Sequence, residues 1–124
     1  MNAVHEVEGP KLSSFALARV RAYVEANLCN TITLEDLASA ACISRFHFAR
    51  LFRASTGTSP MAYVREARIA AAKVLLAQRS EPVSVADVAA RLGFFDHSHF
   101  TRTFRRLTGM PPARFANPLA GAGR

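Results

Sequence analysis

The chain repeats itself, and the repetition limits its fold more than any other feature. Thr33-Leu34-Glu35-Asp36-Leu37-Ala38 matches Ser84-Val85-Ala86-Asp87-Val88-Ala89 at an offset of 51 residues. One residue is then inserted, and the offset becomes 52. His47, Phe48, Arg50, Phe52, Arg53, Thr56, Gly57 and Pro60 now pair with identical residues at His99, Phe100, Arg102, Phe104, Arg105, Thr108, Gly109 and Pro112. Tyr63 pairs with Phe115. Eight identities fall within the 18 positions that align 47–64 with 99–116. Solenoid arrays need about three or more tandem repeats. Two copies separated by a long helical stretch read instead as duplication of one module.

The local signals are helical throughout. Apolar residues recur at spacings of three and four, and no long Val/Ile/Thr alternation is present. Ser13 or Ser14 caps a first helix with the stripe Leu17, Val20, Val24 and Leu28, ending near Asn27–Asn30. Thr33 opens a second helix, and Thr33-x-x-Asp36 resembles a capping box. Leu34, Leu37, Ala38 and Ala41 share one face of it. Ser44 caps a third helix, which stops at Gly57. Ser59-Pro60 starts a long helix, with proline at the first position where no N–H is needed. It is expected to run to about Gln78 or Arg79. Ser84 opens a short helix with Val85, Val88, Ala89 and Leu92. Asp96 starts another that runs to about Thr108, and Pro111-Pro112 begins a last one ended by Pro118. The expected architecture is all-α, with about seven helices. It divides into a tail at 1–12, a module at 13–57, a joining helix at 58–80, a module at 81–118 and a tail at 119–124.

Each module is a short helix, a tight turn and a longer arginine-bearing helix, the helix-turn-helix layout. The first turn is Ala41-Cys42-Ile43-Ser44, and the second is Leu92-Gly93-Phe94-Phe95-Asp96. Gly93 can take the positive φ such a turn often demands. Cys42 is less suited to it, so the two turns are expected to differ in shape. Cys42 itself reads as a small buried apolar residue rather than a redox sensor.

The longer helices sort their residues by face at about 100° per residue. In the first, Phe48, Leu51 and Phe52 lie together, while Phe46, Arg50 and Arg53 lie opposite and Ala49 sits at a flank. In the second, Phe100 and Phe104 define the inner face and Ser98, Arg102 and Arg105 the outer one. Thr101 lies at the flank and His97 near the start. Both modules therefore pair an aromatic face suited to a core with an arginine face suited to something outside.

The charge agrees with a polyanionic partner. Lys and Arg number 16 against nine Asp and Glu, a formal charge of +7. Residues 1–30 are neutral and residues 83–124 carry +4, so the C-terminal third is the most basic part. Nucleic acid is the first candidate and an acidic membrane surface the second. No apolar run reaches the roughly 18 residues of a membrane span, and Met1 to Pro10 has no secretory signal pattern. Cys29 and Cys42 have neither zinc-site nor disulfide-framework spacing, which fits a reduced, cytoplasmic setting.

At this level the chain resembles the DNA-binding region of the AraC/XylS family of bacterial transcription regulators. The second module carries the likeness most fully. Its matching segments are Ala89-Ala90-Arg91-Leu92-Gly93-Phe94, Ser98-His99-Phe100-Thr101-Arg102-Thr103-Phe104 and Gly109-Met110-Pro111-Pro112-Ala113-Arg114-Phe115. Arg68-Ile69-x-x-Ala72 in the joining helix fits as well, and the resemblance covers about Leu12 to Asn117. It implies two helix-turn-helix subdomains joined by the fourth helix. It also implies base reading by Phe46, Ala49 and Arg50 in the third helix and by His97, Ser98 and Arg102 in the sixth. Ala49 stands where such activators often place a longer polar residue. The chain goes from a short tail straight into its first helix. It is thus similar to the small stand-alone activators of the family, for which contact with RNA polymerase is implied.

Side-chain chemistry assigns the roles. Arg50 and Arg102 can each donate two bonds to guanine O6 and N7, Ser98 can donate or accept, and Phe46 and Ala49 can touch a thymine methyl. The alternative for Phe46 is a place in the core. Arg45, Arg53, Thr101, Arg105, Arg106 and Arg114 are expected on phosphates, adding salt-dependent affinity with little sequence information. A joining helix of roughly 20 residues would be about 30 Å long. Successive major-groove faces lie about 34–36 Å apart. A monomer on an asymmetric double-stranded site is the resulting expectation.

Other chemistries lack support in the sequence. His97 and His99 point about 200° apart on a helix and cannot share a metal. No phosphate loop, nucleophile triad or paired-carboxylate pattern appears. No enzyme activity, cofactor or small-molecule effector pocket is expected. The competing readings are a DNA-binding fragment of a larger effector-sensing regulator and a helical adaptor for a protein partner.

Overall fold

Polar caps start the helices, and their apolar faces close two separate cores. In a computed structural model, which describes residues 10–78 and 84–117, seven helices are present and no strand. They are α1 (Ser14–Ala26), α2 (Leu34–Ala41), α3 (Arg45–Thr56), α4 (Pro60–Ala77), α5 (Val85–Arg91), α6 (His97–Thr108) and α7 (Pro112–Ala116). Most of the first tail, Arg79 to Val83, Pro118 and the tail at 119–124 lie outside the described residues.

Serine, threonine or aspartate side chains cap the starts of α1 to α6. Ser13, not Ser14, caps α1 by accepting from the Ala16 amide at 3.0 Å. Thr33 and Asp36 form the full reciprocal box on α2, at 3.1 and 2.9 Å. Ser44 accepts from His47 on α3, Ser59 from Ala62 on α4 and Ser84 from Asp87 on α5. Asp96 accepts from the His99 amide at 2.6 Å on α6. Each such bond satisfies one of the orphan donors at a helix start. The joining helix α4 has 18 residues, ends at Ala77 and is about 27 Å long. That is shorter than the sequence suggests, within the fraying that helix ends show.

The chain divides into two compact units. One holds Ile32–Arg65 with the segment up to Asn27, and the other holds Leu28–Thr31 with the residues from Glu66 onward. The joining helix thus contributes its first part to one unit and its second part to the other. In the first unit Val20, Val24, Leu37, Phe48, Phe52 and Val64 are almost wholly buried. In the second, Ile69, Ala72, Leu76, Val88, Ala89, Leu92, Phe94, Phe100 and Phe104 form one cluster.

The sequence repeat is also a repeat of contacts within each unit. Phe48 and Phe52 meet as tilted rings with centroids 5.5 Å apart, and Tyr63 meets Phe52 edge-on at 5.5 Å. Phe100 and Phe104 meet as tilted rings with centroids 5.7 Å apart, and Phe115 meets Phe104 edge-on at 5.6 Å. Gly57 and Gly109 end α3 and α6 with φ of 82° and 88°. Thr56 Oγ1 donates to the Phe52 carbonyl and accepts from the Thr58 amide. Thr108 does the same with Phe104 and Met110.

The two helix-turn-helix turns share a left-handed residue and a closing bond, and they differ in the extra residue, Phe95, before the second cap. Cys42 adopts φ 64° and Gly93 φ 77°, both left-handed. Ile43 N–H donates to the Ala38 carbonyl and Phe94 N–H to the Ala89 carbonyl, the same closing bond in both copies. That pattern satisfies helix-end carbonyls and requires the left-handed residue. Cys42 is also exposed rather than buried. The hydrogen-bonded turn turns its side chain outward and overrides the usual burial of a free cysteine. A left-handed L-residue costs roughly 1–2 kcal/mol, partly offset because glycine has more chain entropy to lose. Cys42→Gly should therefore stabilise the first unit by about 0.5–1 kcal/mol. Thermal or urea unfolding would read it as a raised midpoint. A lowered midpoint would mean that the cysteine side chain makes a compensating contact.

Candidate nucleic-acid interface

The outer faces of α3 and α6 form the candidate surface, each within its own unit. Phe48, Phe52, Phe100 and Phe104 are fully buried, and this fixes the rotation of both helices. Arg50 and Arg53 on α3 are consequently exposed. So are His97, Ser98, Arg102, Arg105 and Arg106 on α6 and Arg114 on α7. Phe46 is 72% exposed, which removes the core alternative for it. Ala49 is half-buried at the flank of α3.

Arg45 is already engaged. Its Nη1 lies 3.1 Å from Glu35 Oε2, and its guanidinium sits 5.0 Å from the centre of the Phe46 ring. An exposed ion pair of this kind contributes at most about 1 kcal/mol, so the arginine can exchange Glu35 for a phosphate at small cost. Thr101 is placed differently from the other expected phosphate contacts. Its Oγ1 is buried without a hydrogen-bond partner. A χ1 rotation must turn the hydroxyl outward before it can meet a phosphate.

Other chemistries find little here. Among the described residues, no group of three or more His, Cys, Asp or Glu is positioned to hold a metal ion. No described helix is long and apolar enough to cross a membrane.

Comparison with known proteins identifies this arrangement. A family model described as a helix-turn-helix domain matches residues 37–117. A crystal structure of the DNA-binding domain of AdpA, a global transcriptional factor, in complex with a target DNA is 34% identical. It superposes with a TM-score of 0.76, covering 88% of this chain and 96% of that one. A probable AraC family transcriptional regulator from Rhodopseudomonas palustris is 33% identical, with a TM-score of 0.75 and coverage of 85% and 97%. The chain belongs to the AraC/XylS family. Among curated relatives, the transcriptional activator NphR of Rhodococcus sp is 40% identical over 86% of this chain and 31% of its own length. The chain spans 31–44% of the length of three such relatives.

Two features of this AraC-type domain are not visible as site residues in the sequence. Arg68 on α4 donates from Nε to the Leu28 carbonyl at 3.2 Å and from Nη2 to the Asn30 carbonyl at 2.6 Å. It ties the 28–31 segment to the joining helix within the second unit. Burial pushes the Arg68 pKa below the ordinary arginine value, and the neighbouring Cys29 acts in the opposite direction. The same guanidinium lies under Gly93, where an added Cβ would stand 3.2 Å from both Arg68 Nη2 and the Leu28 carbonyl. The turn before α6 is thus set by a residue on the joining helix. The second feature is Phe95, 97% exposed in that turn. The sequence signal for it is the extra residue by which the second module's turn exceeds the first.

Proposed function

We propose that this AraC-type domain regulates transcription by reading an asymmetric duplex site as a monomer, with α3 and α6 in neighbouring major-groove segments. The observation that carries the proposal is the doubled helix with opposed faces, aromatic inward and arginine outward in both copies. Arg50 and Arg102 take guanines by paired hydrogen bonds, and Phe46 and Ala49 touch thymine methyl groups. His97 and Ser98 read from the start of α6, the end of a reading helix that meets base edges. Arg45, Arg53, Arg105, Arg106 and Arg114 hold phosphates, as does Thr101 once its hydroxyl has turned outward, and they set the register.

The reading faces differ in sequence: Arg45, Phe46, Ala49 and Arg50 align with His97, Ser98, Thr101 and Arg102. A symmetric site would present one of them with the wrong half. Activation, the role in the name of the Rhodococcus relative, is the sign we assign, with RNA polymerase as the protein partner.

Stoichiometry tests the arrangement. Site selection from random duplexes, followed by light scattering of the complex, should give one chain per site and a non-palindromic consensus. Two chains on a palindrome would contradict it.

A further inference from the structure

Phe95 is the most exposed large apolar side chain among the described residues. Scattered exposed apolar residues are ordinary on protein surfaces, but the position of this one is not arbitrary. It lies between Phe94, which is in the core, and Asp96, which caps α6. Phe94 packs edge-on against Phe100 at 5.0 Å and against His99 at 5.4 Å. With Phe94 committed inward and Asp96 committed to the helix end, the residue between them is left in solvent at the start of α6.

The first module shows the complementary arrangement. There the turn passes directly from Ile43 to the cap Ser44, with no residue in the place of Phe95. The exposed phenylalanine of its reading helix is Phe46, at the second position of α3; Phe15, also exposed, lies on α1. The residue that aligns with Phe46 in the second module is Ser98, whose side chain is one methylene and a hydroxyl. Each reading helix therefore carries one exposed phenylalanine at its N-terminal end, inside the helix in one copy and just before it in the other. The N-terminal residues of a reading helix are those that meet base edges.

We propose that Phe95 is a further specificity-determining residue, making apolar contact with a thymine methyl group at the edge of the major-groove segment read by α6. The inference rests on the DNA reading above. It adds a base-reading position to the second module, and an apolar one where His97, Ser98 and Arg102 are all polar. Because Phe95 contributes almost nothing to the core, its removal leaves the fold intact.

The test uses the full chain and the duplex it selects from random DNA, with each thymine of the second segment replaced singly by deoxyuridine. That exchange removes only the methyl group. The wild-type chain should lose about fourfold in affinity at one such position, the effect of burying one methyl-sized group. Phe95→Ala should bind the unmodified site on the order of tenfold more weakly and be indifferent to the same exchange. Its thermal midpoint should equal that of the wild type.

Full wild-type affinity in Phe95→Ala overturns the inference. So does a weakened variant that keeps the wild-type response to deoxyuridine. Lost transcription with unchanged DNA binding would assign Phe95 to a protein contact instead. A chain that selects no site overturns the DNA reading and this inference together. A chain that selects a site and depends on Arg102, yet ignores Phe95, overturns this inference alone.

Discussion

Gly93→Ala should destabilise the second unit by about 2–5 kcal/mol, combining two separate penalties. The first is conformational, since φ at Gly93 is 77°, a region L-residues enter at a cost of roughly 1–2 kcal/mol. The second is steric. A Cβ there would stand 3.2 Å from Arg68 Nη2 and from the Leu28 carbonyl. Neither neighbour yields easily, because that guanidinium is fixed by its bonds to the Leu28 and Asn30 carbonyls. Crowding of this kind adds about 1–3 kcal/mol.

Gly57 and Gly109 supply the control. Their φ values are also positive, but an added Cβ at either meets nothing within 4 Å. Gly57→Ala and Gly109→Ala should carry only the conformational penalty, about 1–2 kcal/mol. Urea unfolding of the three variants would rank them. If Gly93→Ala proves no worse than Gly57→Ala, the packing of Arg68 and Leu28 beneath the turn does not hold it.

The contrast between Gly93 and Cys42 shows how far the sequence could be read. Glycine announces a left-handed turn and cysteine does not, so the residue types suggested two different turns. The hydrogen bonds from Ile43 to Ala38 and from Phe94 to Ala89 close them in the same way, and the second then adds Phe95 before its cap. The fold was otherwise largely legible, because its signals are local. Caps at Ser13, Thr33, Ser44, Ser84 and Asp96 act on amides three residues ahead. The burial of Phe48, Phe52, Phe100 and Phe104 follows from helical period alone.

What stayed hidden depends on distant partners. Arg68 meets carbonyls 38 and 40 residues away, and no local pattern marks such a contact. The ion pair of Arg45 with Glu35 spans a turn whose shape had to be known first. Thr101 lies at a helix flank, where a few tens of degrees decide whether a hydroxyl faces solvent or the core.

On the proposed reading face of α6, Arg102 is the guanine contact and Arg106 a backbone contact. Arg102 and Arg106 are both exposed and one turn apart, so charge and accessibility alone make them equivalent. On the proposed reading face they differ in kind. Removing a paired guanine contact should cost about 1–3 kcal/mol and relax preference at one base position only. Removing a phosphate contact should weaken all sequences alike and flatten the slope of log K against log salt by about one. The direct measurement is the affinity of Arg102→Ala and Arg106→Ala for every single-base variant of the selected site, at several salt concentrations. Arg102→Ala should lose discrimination at one position, and Arg106→Ala should lose affinity uniformly with a shallower salt slope. Equal loss by Arg102→Ala on every variant would make Arg102 a phosphate clamp and would contradict the placement of the reading face.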